Sequence, residues 1–399
     1  MPEIIPPTTL APRSGIRILI DVTRLLGRFM KGRLATGVDR VCLAYIVRYG
    51  SAARALIHWG GCGWVLSPRA SQELFSLLLD PPTHFSRTAL RIIAASPPRP
   101  LPNQNTTATV LFNIGHSGLE RPGYAAWIQR KNLRPLFMVH DLIPITHPEY
   151  CRPGEGGRHA ARMDAVLNAA AAIVTNSQAT LDELSAYAGS RALRLPPAAA
   201  ALLAPPHQFL PAGPPPLTHP YFVIVSTIEP RKNHWMLLQI WRRLVERHGM
   251  EQAPRLVVIG QRGWECENVV DLLERCQELR GVVTELPACS DSELVTWLRH
   301  ARALLFPSFC EGYGLPLVEA MALGTPVIAS NLGVFREIAG DIPEYLDPLD
   351  GLGWQTAIEE YAQPDSRSRA AQEERLQHRS LPTWDKHFAA VDRLLEGLA

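Results

Sequence analysis

Apolar and polar positions along this 399-residue chain fall into two kinds of run that alternate. Short, nearly unbroken apolar stretches such as RILIDV, VLFNI, LFMVH, YFVIVS and RLVVIG are too short for helices and rich in branched side chains. They read as strands buried on both faces, the habit of parallel sheets. Between them lie longer segments with apolar residues three and four apart, which read as helices covering those faces. In the first half this pattern predicts strands over Arg17–Val22, Ala55–Trp59, Val110–Ile114, Leu136–His140 and Ala172–Asn176. It predicts helices over Val38–Tyr49, Gln72–Leu79, Glu155–Ala170 and Gln178–Ala188.

The alternation stops at PPHQFLPAGPPPLTHP, residues 205–220, where seven of sixteen residues are proline. Proline fixes φ and removes a backbone donor, so this stretch reads as a semi-rigid linker. Strands then resume at YFVIVST, Arg255–Gly260, Val282–Leu286, ALLFPS and TPVIAS, separated by helices over Asn233–Arg247, Glu267–Leu279, Ser290–Ala301 and Pro316–Leu323. The tail WDKHFAAVDRLLEGLA has the spacing of an amphipathic helix docked on a core. The expected organisation is an extension over 1–15, a first α/β domain over 16–204, the linker over 205–220, a second α/β domain over 221–380 and a terminal helix over 381–399. Two doubly wound halves put a ligand cleft at the carboxyl ends of their strands.

Composition narrows the function classes. A 46% apolar, 20% charged chain with formal charge +2 has no global field to recruit nucleic acid or membrane, so any charged partner must meet a local patch. The seven cysteines form no Cys-x-x-Cys pair, the N-terminus lacks the marks of a signal peptide, and the longest apolar runs are too short to span a bilayer. These features lead us to expect a cytosolic protein.

Two strand-to-helix junctions of the second half carry the candidate chemistry. In VSTIEPRKNHWMLLQIW a buried strand runs into Arg231 and Lys232 as a helix opens near Asn233. Two cations and a helix start suit a diphosphate; a solvated loop pair is the plain alternative. In LLFPSFCEGYGLPLVEAMALGTPVIAS a loop carries Glu311, Gly312 and Gly314 free the backbone to turn, and Pro316 opens a helix that carries Glu319. The plain alternative there is an ordinary capped helix.

Glu311, seven residues and Glu319 together are similar to the Glu-x7-Glu signature of family-4 retaining glycosyltransferases, and Val225–His234 resembles their donor-diphosphate loop, particularly in bacterial polysaccharide mannosyltransferases. The resemblance implies a GT-B fold of two Rossmann-like domains. It implies that Arg231 and Lys232 hold the donor diphosphate, Glu311 meets the donor sugar and Glu319 the ribose. The turn Gly314, Leu315, Pro316 and Leu317 is expected beside the transferred sugar and phosphates. In the first half, RLATGVDRV resembles the family's glycine-bearing donor loop through Gly37. His140, before Asp141, resembles the histidine beside the reacting sugar, although a histidine ending a strand is often structural. His116 in NIGHSG is placed similarly, and it and Asp141 are expected on the acceptor side.

The resemblance further implies a hexose, with mannose from GDP-mannose ahead of UDP- or dTDP-sugars, delivered with retention onto a glycan or polyprenyl-diphosphate-linked acceptor. No Asp-x-Asp occurs in the chain, so neither a metal nor a further cofactor is expected beyond the nucleotide-sugar co-substrate. A nucleotide-sugar 2-epimerase of the same fold and a catalytically silent sugar-binding relative are rivals. An NAD-type oxidoreductase would want Gly-x-Gly-x-x-Gly, and Gly61-Cys62-Gly63 lacks the third glycine. Finally, Arg24, Arg28, Lys31 and Arg33 interleave with Leu25, Leu26, Phe29, Met30 and Leu34. That stretch suggests contact with an anionic inner-membrane surface, against the plainer reading of a buried loop whose arginines cover the core or grip phosphate.

Overall fold

In a computed structural model of the chain, which describes residues 16–59, 62–97, 108–116, 118–205 and 211–398, the apolar runs assemble into two mainly parallel sheets. The extension expected over 1–15 and linker residues 206–210 lie outside the described residues; 211–220 run without helix or strand. The first sheet contains β1 (Ile16–Asp21), β2 (Ala53–Trp59), β3 (Cys62–Val65), β4 (Ala108–Asn113), β5 (Arg134–Val139), β6 (Ala172–Thr175) and β7 (Ala198–Ala200). Its order is β3-β2-β1-β4-β5-β6-β7, parallel except for the β2–β3 pair. The second sheet contains β8 (Tyr221–Val225), β9 (Arg255–Ile259), β10 (Val283–Leu286), β11 (Leu304–Phe306), β12 (Val327–Ser330) and β13 (Glu344–Leu346), in the all-parallel order β10-β9-β8-β11-β12-β13. Both orders reverse at the strand that begins the domain, between β1 and β4 and between β8 and β11. Crevices open at such switch points, and both lie at the carboxyl ends of the strands.

The central strands form where they are expected because both their faces are covered: every residue of β6, β11 and β12 is buried. Gly63, in the run weighed as a nucleotide loop, instead admits Trp127, since a Cβ there would lie 2.3 Å from the indole Cζ2. The stretch 24–34 also differs from expectation. Thr23–Phe29 is a helix whose Leu25 and Leu26 are 1% and 5% exposed, and Phe29 meets Phe85 edge-on at 5.5 Å. Its apolar set is therefore core rather than an inserting face, with only Leu34 well exposed.

The terminal helix Trp384–Glu396 docks on the first domain, so the chain crosses between domains twice. Tyr45 Oη lies 3.0 Å from His387 Nε2, and the Phe388 ring packs against Tyr45 and Tyr49. Asp392 accepts from Arg48 Nη2 and from the Tyr49 hydroxyl, each at 2.7 Å. One carboxylate thus satisfies two polar groups at the edge of the aromatic cluster. Asp392→Ala should lower the urea-unfolding free energy by about 2 kcal/mol, the scale for removing a charged hydrogen-bond partner from buried groups. An unchanged midpoint would mean that the helix is held by its apolar face alone.

Candidate functional site

The site is built where β8 and β11 end. After β8, Glu229 leads into a 3-10 turn over Pro230–Lys232, and Asn233 adopts φ 57° before the helix His234–His248 begins. Asparagine tolerates that left-handed conformation, and its side chain is used to hold the turn, donating to the Pro348 carbonyl at 2.9 Å. After β11 the chain runs through Ser308–Tyr313 to Gly314, at φ 129°, and into the helix Leu315–Ala322. A Cβ at Gly314 would lie 2.8 Å from the Phe335 ring, so this turn needs glycine for both conformation and space. The two loops are sewn together by the Phe309 amide donating to the Arg231 carbonyl at 2.8 Å.

That pairing brings Arg231, Lys232 and Glu311 into one cluster. Glu311 accepts from Arg231 Nη1 at 2.8 Å, from the Ser308 hydroxyl at 2.8 Å and from Lys232 Nζ. Arg231 Nη1 also donates to the Cys310 carbonyl at 3.0 Å, and its Nε is 2.6 Å from Glu229 Oε1. Burial alone would raise the Glu311 carboxyl; the two cations outweigh it and hold it down at about 2. Burial pulls the Lys232 ammonium below its ordinary range, against the pull of Glu311. Burial also disfavours the Arg231 charge, but Glu311 and Glu229 more than restore it. Glu229, 4% exposed, was not singled out from the sequence, where an acid two residues before an arginine looks like a solvated pair. With it the cluster holds two cations and two carboxylates and is formally neutral.

Glu319 sits apart from that cluster. It accepts from Arg40 Nη1 at 2.9 Å, while Arg40 Nη2 reaches Asp291 at 2.6 Å. Arg40 belongs to the helix Gly37–Tyr49 of the first domain, so this pair spans the cleft. The sequence offers no signal for it: the partners are 279 residues apart. Burial pushes the Glu319 carboxyl up to about 7, against the lowering effect of Arg40.

Two glycines mark where the walls touch. A Cβ on Gly37 would lie 2.8 Å from Leu315 Cδ1, so the glycine of the first domain meets the turn of the second. A Cβ on Gly312 would lie 2.4 Å from the His140 carbonyl and 2.6 Å from Asp141 Cβ. Glu311 therefore stands one residue from the end of β5. Around this seam the Ser177 and Thr180 hydroxyls donate to the Gly312 carbonyl, at 3.3 and 3.2 Å. Glu337 accepts from the Gln178 and Ala179 amides at 2.6 and 3.0 Å, and Tyr150 stacks on Phe309 at 5.6 Å.

His140 is buried, with Nε2 2.7 Å from the Ile114 carbonyl. A carbonyl only accepts, so Nε2 carries the proton and Nδ1 the lone pair. Burial lowers the pKa of His140, and lowers that of His116 further. His116, at φ 58°, stacks edge-on to His140 at 5.2 Å and leaves Nε2 buried without a partner among the described residues. Asp141 uses Oδ1 to accept from the Ile143 amide at 3.2 Å. Among the described residues no group of three or more His, Cys, Asp or Glu could hold a metal ion, and no helix is long and apolar enough to cross a membrane.

Residues 209–342 match the family described as "Glycosyl transferases group 1". The chain is 37% identical over 148 residues to O-antigen chain mannosyltransferase B of Escherichia coli, covering 37% of this chain and 38% of that protein. It is 35% identical over 156 residues to O-antigen chain mannosyltransferase RfbU of Salmonella typhimurium strain LT2, covering 37% of this chain and 40% of that protein. The chain thus spans about two fifths of the length of these curated relatives. Among solved structures, a sucrose-phosphate synthase from Thermosynechococcus elongatus superposes with TM-score 0.63 at 17% identity, covering 96% of this chain and 98% of that one. An α,α-trehalose-phosphate synthase (UDP-forming) from Burkholderia xenovorans, in complex with glucose-6-phosphate, gives TM-score 0.61 at 12% identity over 96% of this chain and 100% of that one. The likeness runs through both domains, and the fold is GT-B.

Burial of Glu319 makes a pH signature. Between about pH 4.5 and 7 the unfolded chain ionises this carboxyl while the folded chain keeps it protonated, so its contribution to stability falls as pH rises through that window. Glu319→Gln should therefore match the native chain in urea unfolding at pH 5 and exceed it at pH 8, by about 1–3 kcal/mol. A variant less stable at pH 8 than at pH 5, relative to the native chain, would mean that the Arg40 pair outweighs burial.

Proposed function

Since residues 209–342 form a glycosyl transferase group 1 domain within a GT-B fold, we propose that the chain is a retaining, metal-independent hexosyltransferase. In this reading it moves a hexose, mannose from GDP-mannose foremost, onto a glycan or a polyprenyl-diphosphate-linked glycan in polysaccharide biosynthesis. The observation that carries it is the cluster of Arg231, Lys232 and Glu311 at the ends of β8 and β11, with Gly312 against the backbone of His140 at the end of β5.

In this reading each group has a task. Arg231 and Lys232 receive the diphosphate and stabilise its charge as the bond to the sugar breaks. Glu311, held ionised by both, accepts from sugar hydroxyls, and Glu319 on the next helix accepts from the ribose. Gly37 brings the helix start of Gly37–Tyr49 against Leu315, where the donor's phosphates lie. His140, neutral with its lone pair on Nδ1, gives the sugar-facing wall an uncharged acceptor beside Asp141. No carboxylate is placed as a nucleophile by this set, and we favour same-face delivery through a dissociative transition state. The acceptor's lipid places the enzyme at the inner membrane face, with the exposed Lys31, Arg33 and Leu34 as its contact.

Incubation with GDP-mannose and a lipid-diphosphate acceptor in excess EDTA should give a mannosylated product with the anomeric configuration of the donor, read by NMR. An inverted product, or activity that magnesium alone restores, would overturn this mechanism; release of a free C2-epimer would identify an epimerase instead.

The two glutamates should separate. Glu311→Ala removes a carboxylate from the cations and leaves them to the diphosphate, so GDP should bind at least as tightly while transfer falls about 100-fold or more. Glu319→Ala should weaken GDP itself about tenfold, the scale of a lost hydrogen bond in a buried site. Isothermal titration with both variants decides it, and equal losses of GDP affinity would contradict the roles. Lys232→Ala is a poorer probe, because it also strips a partner from buried Glu311.

A further inference from the structure

The charges lining the cleft are unevenly compensated. On the second domain, Arg231 and Lys232 face Glu229 and Glu311, which balances; Arg40 of the first domain faces both Glu319 and Asp291 across the cleft. On the first domain, Arg24 and Arg28 share one carboxylate, Asp39. Its Oδ2 is already engaged by the Thr36 amide at 2.8 Å, the Thr36 hydroxyl at 2.5 Å and Arg28 Nε at 3.0 Å. Arg24 spends only Nε on Asp39, at a long 3.3 Å. Its two terminal nitrogens have no partner among the described residues, and its side chain is 42% exposed. The wall therefore keeps one uncompensated guanidinium.

Its position is built. A Cβ on Gly115 would lie 2.9 Å from Arg24 Cδ and 3.4 Å from its Cβ, so the missing side chain lets the arginine stem lie across the loop after β4. Gly115 directly follows Ile114, whose carbonyl holds His140 Nε2. Arg24 thus projects beside the histidine of the reacting wall, on the domain opposite the donor cations. A planar fork with both terminal nitrogens open suits the oxygens of a phosphate, which it can bind through two parallel hydrogen bonds.

We propose that Arg24 forms an acceptor-phosphate subsite: the acceptor carries a phosphate within about one sugar residue of the hydroxyl that is glycosylated. This rests on the transferase reading above and deepens it. The acceptor is a short phosphorylated species, a sugar phosphate or a lipid-diphosphate monosaccharide, and not the remote end of a long neutral glycan. A phosphorylating reaction or a sugar-1-phosphate transfer to lipid must therefore supply it, and neutral-glycan extension follows. Arg24 acts as a binding group, and its Nε remains on Asp39 in the first turn of the Gly37–Tyr49 helix.

The test titrates inorganic phosphate into the full chain saturated with GDP, for the native protein, Arg24→Gln and Arg24→Lys, with melting temperatures confirming the fold. Phosphate should bind the native complex, bind Arg24→Gln about tenfold or more weakly, and bind Arg24→Lys at an intermediate level, as expected for a lost or weakened charged hydrogen bond. In transfer assays, native enzyme should favour a lipid-diphosphate sugar over the neutral alkyl glycoside of the same sugar, and Arg24→Gln should erase that preference through KM. Absent phosphate binding, equal binding by all three proteins, or phosphate that only displaces GDP would each overturn the subsite, the last assigning the anion to the donor. If GDP itself fails to bind, the donor reading falls, and phosphate titrated without nucleotide still decides the role of Arg24.

Discussion

The Glu311 carboxylate, buried between Arg231 and Lys232, is the interaction on which the rest of the site depends. It joins the loop after β8 to the loop after β11, which are also linked by the Phe309 amide on the Arg231 carbonyl and by Arg231 Nη1 on the Cys310 carbonyl. A buried carboxylate with one partner removed is costly, so neither loop can move independently of the other. Glu229 completes the set by taking the remaining face of Arg231. The outcome is a rigid, formally neutral group of four charges facing the cleft. Such a group loses little on closing, because its charges are already desolvated and paired before any ligand arrives.

From that anchor the cleft geometry follows through small residues. Glu311 is succeeded by Gly312, whose bare Cα admits the end of β5, and then by Gly314, which turns the chain into the next helix. Leu315 at the start of that helix occupies the space left by Gly37 on the other domain. Larger residues at 37 or 312 would hold the walls apart by the length of a methyl group or more. The same helix carries Glu319 to Arg40, so the pair that bridges the domains is positioned by the turn that follows the charge cluster. The turn that follows the charge cluster thus also sets the contact between the two domains.

How much of this could be read from the residues depends on the range of the interaction. The central strands were legible because burial on both faces leaves an unbroken apolar run, and Glu311, Glu319, Arg231 and Lys232 because they sit in short motifs at strand ends. β7, three alanines, carries no such pattern, and β3 is a four-residue edge strand. The helices Gly333–Ala339, Gly351–Ala362 and Arg367–Gln377 carry weak patterns as well; the last is so polar that it buries only Leu376 and Gln372, the latter bonding the Val327 backbone. The stretch 24–34 looked amphipathic because cations and apolar residues interleave, yet the apolar members turn inward and Asp39 collects two of the arginines. Arg40 and the docking of Trp384–Glu396 on the first domain were invisible, since contacts separated by about 280 to 340 residues leave no local trace.

The histidines give the last step. His140 and His159 lie 5.2 and 6.1 Å from His116, and burial lowers the pKa of all three. Three imidazoles at such spacing repel one another when charged, so the three stay neutral, and Arg24 beside them gives this wall a charge. Opposite it stands a charge cluster that sums to zero. In the transferase reading, a sugar leaving a diphosphate develops positive charge at carbon and negative charge at phosphate, and the preorganised cluster of Arg231, Lys232 and Glu311 would offer both signs of charge from one wall while the histidines opposite stay uncharged.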